Sequence, residues 1–203
     1  MNLNQTTEHS IPYRYWEFCN CLDDLTLVEI VDATVPEGKR AYDGTRAADH
    51  SGQGIDGKLR LYIIKDNSKK FPYLTKLINE LQSKNCHRKI SEFLNKDLSN
   101  SFVRLEIIGD KKGFWLEPHK DITEKLMTMM IWVNPYNESK NLGTDLYNDS
   151  FEVVKTVKYE HNCGYFFSSG QDTWHGLEKK EIQKERRCVQ INYVTFKTDW
   201  PVE

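Results

Sequence analysis

The chain has 203 residues, 38% of them hydrophobic and 12% aromatic, with 28 Lys and Arg against 30 Asp and Glu, a formal charge of -2. This length and apolar share suit a single domain, residues 1–203, with a packed core. The near-balance of charge excludes a global basic footprint for nucleic acid or an anionic membrane, and no apolar run is long enough to span a bilayer.

The N-terminal stretch MNLNQTTEHS is polar and has no apolar signal region. The five cysteines, Cys19, Cys21, Cys86, Cys163 and Cys188, follow no regular spacing. An odd, irregular set predicts reduced thiols and a cytoplasmic protein. Cys19 and Cys21 stand closer together than zinc-site cysteines normally do. Residues 22–31, LDDLTLVEIV, put Leu22, Leu25, Val28 and Val31 at helical spacing, with Asp23 and Asp24 near the helix start. The stretch VPEGKRAYDGTRAADHSGQGIDGK is long for a plain connection, which marks it as functional or mobile. KLRLYII (58–64) reads as a strand. FPYLTKLINELQSK gathers Phe71, Leu74, Leu77, Ile78 and Leu81 on one helical face, and ISEFLNKDL does the same with Ile90, Phe93, Leu94 and Leu98.

After residue 100 the texture changes. SFVRLEIIG, GFWLEPH, KLMTMMIWV, TDLYN, FEVVKTVKY, CGYFFSSG and RRCVQINYVTF are short aromatic or β-branched runs, separated by turn signals such as GDKKG and NPYNESKNLG. The expected plan is a helical and loop part over 1–99, then a mainly β, jelly-roll core over 100–203.

Within LEPHKDITEKL, His119 and Asp121 lie two residues apart. On a strand such residues face the same side, and imidazole with carboxylate suits Fe(II), Mn(II) or Zn(II). The third ligand expected is His175 in SSGQDTWHG, 54 residues after Asp121. His9, His50, His87 and His161 fit less well by their surroundings. Eleven residues past His175, KERRCVQINYV alternates Arg186, Cys188, Gln190 and Asn192 with Arg187, Val189, Ile191 and Tyr193. An inward arginine there offers a fixed fork for a carboxylate.

These residues together resemble the Fe(II)/2-oxoglutarate-dependent dioxygenases. That family's pattern is H-x-D, a distal His fifty or more residues on, then an Arg or Lys about ten residues later, often in R-x-S. Here the pattern reads His119-Lys120-Asp121, His175 and Arg186-Arg187-Cys188. GFWLEPHKDITEKLMTMMIWVNP, LGTDLY, GYFFSSGQDTWHG and ERRCVQINYVTF resemble the framing segments of bacterial and phage members. The likeness covers roughly residues 100–197, and YDGTRAAD with RLYI adds a less specific match. Cys188 departs from the usual Ser and offers a weaker hydrogen bond. Both the R-x-S alignment and the strand alternation favour Arg186 over Arg187 as the anchor.

The resemblance implies a double-stranded β-helix of the cupin type. It implies Fe(II) on His119, Asp121 and His175, with 2-oxoglutarate on the metal and on Arg186 beside Cys188. O2 would be the oxidant, with ascorbate as an optional accessory reductant. The implied reaction hydroxylates a C–H bond of a small molecule and forms succinate and carbon dioxide. The presence of Asp121 argues against halogenation, since chlorinating members lack that carboxylate. Arg104, Thr128, Trp174, Tyr42 and Arg46 are the expected substrate contacts. Asp43, Thr45, Glu106, Trp115, Lys125 and Met130 lie close by in sequence. The alternatives are a prolyl-4-hydroxylase-like enzyme acting on peptides, a metal-binding jelly roll without turnover, and a carbohydrate-binding sandwich. No nucleic-acid or membrane partner is expected, and the oligomeric state is left open.

Overall fold

The computed structural model describes residues 1–36 and 59–202. The chain opens with a hairpin, β1 (Thr6–His9) and β2 (Tyr15–Cys19), followed by helix α1 (Asp24–Asp32) and strand β3 (Arg60–Tyr62). Helices α2 (Pro72–Gln82) and α3 (Lys84–Leu94) come next. Nine strands complete the chain: β4 (Phe102–Asp110), β5 (Leu116–His119), β6 (Lys125–Val133), β7 (Asp145–Tyr147), β8 (Val153–Thr156), β9 (Cys163–Phe167), β10 (His175–Leu177), β11 (Arg186–Val194) and β12 (Trp200–Pro201).

The eight strands β4 to β11 are divided between two antiparallel sheets. The larger sheet contains the order β9-β6-β11-β4, and the smaller sheet is β5-β10-β7-β8. This winding between two facing sheets is the jelly-roll core expected from the sequence. β1 and β2 extend the larger sheet beyond β9, while β3 and β12 both pair with β4.

The larger sheet has two different faces because side chains alternate along each strand. Its outer face presents Leu105, Ile107, Met129, Ile131, Val189, Ile191 and Tyr193 to the helices. There they meet Leu74, Ile78 and Leu81 of α2 and Ile90 of α3, all fully or nearly fully buried. Its inner face presents Ile108, Met130, Trp132, Tyr165, Phe167 and Cys188 toward Leu142, Leu146 and Leu177. The helices form where their caps allow. Pro72 starts α2 with its fixed φ. The Ser83 hydroxyl accepts from Cys86 N at the start of α3, and Asn95 ends that helix in the left-handed conformation, φ 50°.

Three expectations change. Besides the expected strand near residue 60, the N-terminal part holds the hairpin β1–β2, because Tyr15–Cys19 finds a partner in β9, a pairing that local periodicity does not reveal. Helix α1 forms behind its Asp23 cap but turns another face inward: Leu27 and Ile30 are buried, whereas Leu25 and Val28 are 56% and 55% exposed. Cys19 and Cys163 are not reduced thiols. They sit opposite each other across β2 and β9 and are joined by a disulfide. No helix among the described residues is long and apolar enough to cross a membrane.

Candidate metal and cosubstrate site

The smaller sheet carries two of the three expected ligands as cross-strand neighbours: His119 at the end of β5 lies directly opposite His175 at the start of β10. Gly176 makes this approach possible. A Cβ there would stand 2.5 Å from the Leu116 carbonyl oxygen and 3.0 Å from that of Glu117, so a side chain would push β10 off β5. Asp121 follows β5 in the connection to β6. The ligand atoms of His119, Asp121 and His175 all lie within 4.8 Å of one another. The rings of the two histidines are 4.4 Å apart, and His175 also rests on Phe167.

Each histidine is fixed as one tautomer. His119 Nδ1 is 3.0 Å from the Glu117 carbonyl and His175 Nδ1 is 2.9 Å from that of Thr173. A carbonyl only accepts, so both Nδ1 atoms donate, and in the neutral form of each ring the lone pair is on Nε2. His175 Nε2 is 3.9 Å from Asp121 Oδ2. Asp121 is oriented by an ion pair with Lys125 and by the Thr128 hydroxyl, which donates to Oδ2 at 2.5 Å. Burial raises its pKa, but His175, Lys125 and Thr128 outweigh it and hold the carboxyl well below the usual range. The trio therefore offers two imidazoles and one ionised carboxylate, with partners that orient them. That donor set fits a divalent iron.

The inner face of the larger sheet is a ladder of cross-strand rungs. One rung runs Tyr15, Phe167, Thr128, Asn192, Arg104. The next holds Tyr165, Met130, Gln190 and Glu106, the third Trp132, Cys188 and Ile108, and the last Arg186 opposite Asp110. Asp121 bonds to the first rung through Thr128. Arg186 starts from the last rung, and its guanidinium lies over the Trp132 ring at 4.7 Å. It pairs with Asp110 and donates through Nε to the Leu142 carbonyl. Burial lowers its pKa, but the Asp110 carboxylate reverses that, and Arg186 remains a cation. Cys188 is fully buried one rung nearer the metal ligands.

Arg187 faces the opposite way. Its Nη1 donates to the carbonyls of Ile30, Val31 and Ala33 at 2.7–2.9 Å, and its Nε pairs with Glu185. It thus satisfies the orphan carbonyls at the end of α1. Of the two adjacent arginines, only Arg186 is on the face that looks toward the candidate metal ligands. The turn before it is gripped by Glu138, whose carboxylate accepts from the backbone N–H groups of Gln183, Lys184 and Glu185.

The remaining expected contacts are dispersed. Arg104 and Thr128 are on the same rung, linked through Asn192. Thr128 is committed to Asp121 as a positioning residue. Trp174 packs against Lys120 and Phe151 beside the histidines. Trp115 lies under Lys179. Lys125 touches the ligand Asp121. Tyr42, Asp43, Thr45, Arg46 and His50 lie outside the described residues. Sequence reading did not find Asp110, Asn192 or Glu138 as supporting residues. Asn192 alone carried a signal, its place in the inward alternation after Arg186.

No family model and no curated protein matches the sequence. Solved structures do match. A prolyl hydroxylase from Trichoplax adhaerens, in complex with a hypoxia inducible factor oxygen degradation domain peptide fragment, is similar with a TM-score of 0.59 and 14% identity, over 89% of this chain and 83% of that one. A Pseudomonas putida prolyl-4-hydroxylase is similar with a TM-score of 0.54 and 10% identity, over 90% and 92% of the two chains. An oxidoreductase of the 2OG-Fe(II) oxygenase family from Burkholderia pseudomallei is similar with a TM-score of 0.51 and 11% identity, over 72% and 69%. The chain has the fold of the 2OG-Fe(II) oxygenases.

Proposed function

We propose that this protein is an Fe(II)- and 2-oxoglutarate-dependent dioxygenase that hydroxylates a C–H bond of a small molecule. The carrying observation is the convergence of His119, Asp121 and His175, together with the buried cation Arg186 on the inner face of the larger sheet. Iron with 2-oxoglutarate and O2 supplies oxidative decarboxylation to succinate and carbon dioxide, coupled to substrate oxidation.

The chain's own residues supply the rest. His119, His175 and Asp121 would hold the metal, which would supply the open positions that cosubstrate chemistry needs. Arg186, its Nε held by the Leu142 carbonyl and its Nη1 by Asp110, would turn Nη2 to the distal carboxylate of the cosubstrate, with Cys188 packed beside it. Charge supports the assignment. Lys125 balances Asp121 and Asp110 balances Arg186. A divalent cation entering with a dianion therefore leaves the buried site neutral, which avoids the cost of an unpaired buried charge.

A peptide substrate is the second reading. Two of the similar structures are prolyl hydroxylases, and the Trichoplax one holds a peptide. Anaerobic addition of Fe(II) and 2-oxoglutarate tests the proposal. A visible metal-to-ligand charge-transfer band is expected in the wild type and absent in His175→Ala. Bound metal without a band in the wild type would leave a metal-binding jelly roll without oxygenase chemistry. Succinate release stimulated by blocked proline peptides, and not by small molecules, would favour the second reading.

A further inference from the structure

The inner face is divided by chemistry. On the β6, β9 and β2 side, its rungs carry Met130, Trp132, Tyr165, Phe167 and Tyr15. On the β11, β4 and β3 side, the same rungs carry Asn192, Gln190, Arg104 and Glu106, with Arg60 reaching in from β3. The metal and cosubstrate residues do not use this second group. It is nonetheless wired to them. Arg104 donates from Nε and Nη2 to Asn192 Oδ1 at 3.2 and 2.7 Å, Asn192 donates to Thr128 Oγ1 at 2.8 Å, and Thr128 donates to the ligand Asp121. Gln190 Nε2 also donates to Asn192 Oδ1.

Charge on this wall is unequal. Glu106 is buried, with the Arg60 guanidinium at 3.2 Å and that of Arg104 at 3.9 Å. Two guanidiniums stand against one carboxylate, whereas the metal side closes neutral. Both arginines keep part of their side chain at the surface, 31% for Arg60 and 18% for Arg104. Each lies against an aromatic ring, Tyr62 for Arg60 and Phe196 for Arg104, both at 5.8 Å. A cavity of about 220 Å³, lined among others by Tyr62, Arg104, Trp200 and the opposite charges of Lys197 and Asp199, which offset each other, lies in the gap that β4 leaves between β3 and β12. A planar, pre-oriented guanidinium with a surplus positive charge matches a carboxylate.

We propose, on the basis of the oxygenase reading above, that the primary substrate is a small carboxylic acid whose carboxylate docks on Arg104, with Arg60 and Glu106 holding that wall in place. Arg104 then fixes the distance between the substrate's charged end and the metal. It acts in specificity and takes no part in the oxidation itself.

The test uses protein loaded anaerobically with Fe(II) and 2-oxoglutarate, so that acids do not compete for Arg186. Hexanoate, benzoate, phenylacetate and N-acetyl-L-proline are each titrated alongside their methyl esters, and the charge-transfer band and calorimetric heat are both followed. At least one acid is expected to bind, with its ester at least tenfold weaker. Arg104→Gln is expected to lose that acid affinity at least tenfold while its 2-oxoglutarate affinity changes less than twofold. Arg104→Lys is expected to recover part of it. The proposal is overturned if no acid binds, if esters bind as well as acids, if Arg104→Gln binds like the wild type, or if it loses both affinities equally. Binding of an end-blocked proline peptide that is indifferent to Arg104→Gln also overturns it. If the wild type shows no band at all, the oxygenase reading fails. The same calorimetric comparison on metal-free protein then decides the acid site by itself.

Discussion

Arg186 and Arg187 are neighbours in sequence and nearly equal in burial, yet the pleat of β11 sends them into different worlds. Arg187 enters the helix-facing side and caps three carbonyls at the end of α1. Arg186 enters the inter-sheet side and waits over Trp132, on the face that looks toward the candidate metal ligands. A one-residue step along a strand exchanges a structural role for a chemical one. The contrast also holds for the sheet as a whole: one face is apolar and closed by helices, and the other mixes an apolar cluster with a row of polar side chains and looks toward the candidate ligands.

The contrast is sharpest in Arg187→Met. It strands the α1 carbonyls and leaves Glu185 without its buried partner. We expect a loss of about 3–5 kcal/mol of stability, seen in urea unfolding, with 2-oxoglutarate affinity unchanged in the protein that remains folded. Arg186→Met also costs stability, because it removes the buried ion pair with Asp110, but it adds a loss at the site that Arg187→Met lacks. Loss of the anchor is expected to weaken 2-oxoglutarate by about 100-fold, roughly 3 kcal/mol for charged hydrogen bonds. Arg186→Met with Asp110→Asn should regain stability, since no lone carboxylate is left buried, but it should not regain cosubstrate binding. Equal behaviour of the two single variants in both assays would break the comparison.

Gly176→Ala reaches the site from the smaller sheet. Its new methyl group collides with the Leu116 carbonyl and separates His119 from His175. Overpacking of this kind costs about 1–3 kcal/mol, and Fe(II) affinity, measured by competition with a chelating dye, should fall by roughly tenfold or more. The smallest effect is on pH dependence. Burial raises the Glu185 pKa, but Arg187 and Lys111 pull it below its ordinary 4.5. A depressed carboxyl stabilises the fold fully above the unfolded value and loses that contribution as pH falls through the folded one. Glu185→Gln should therefore lower stability at neutral pH and flatten the decline in acid, as read from denaturant midpoints between about pH 7 and 3.

Much of the candidate site was legible through the family pattern that the sequence resembles. His119, Asp121, His175 and Arg186 follow its order, the first three converge in the structure, and both the R-x-S alignment and the alternation favour Arg186 over Arg187. Helices α2 and α3 were equally legible, since Leu74, Ile78, Leu81, Ile90 and Leu94 repeat at helical spacing and are buried as expected. What escaped depends on distant partners. The Cys19–Cys163 bond joins residues 144 apart. The strand Tyr15–Cys19 exists because β9 offers it an edge. Leu25 and Val28 repeat as well as any buried pair, yet α1 buries Leu27 and Ile30 because the surface it packs against decides the rotation. Asp110 and Glu138 support the site only through contacts across strands and loops, so no local pattern marks them, and Asn192 is marked only by its place in the alternation after Arg186.

The most direct measurement is a titration of 2-oxoglutarate into anaerobic Fe(II)-loaded protein, followed at the charge-transfer band, for wild type, Arg186→Met and Arg187→Met. The account predicts a band in all three, a dissociation constant about 100-fold higher in Arg186→Met, and one within twofold of wild type in Arg187→Met. Equal dissociation constants in the two variants, or the larger loss in Arg187→Met, would contradict the assignment of Arg186 as the cosubstrate anchor.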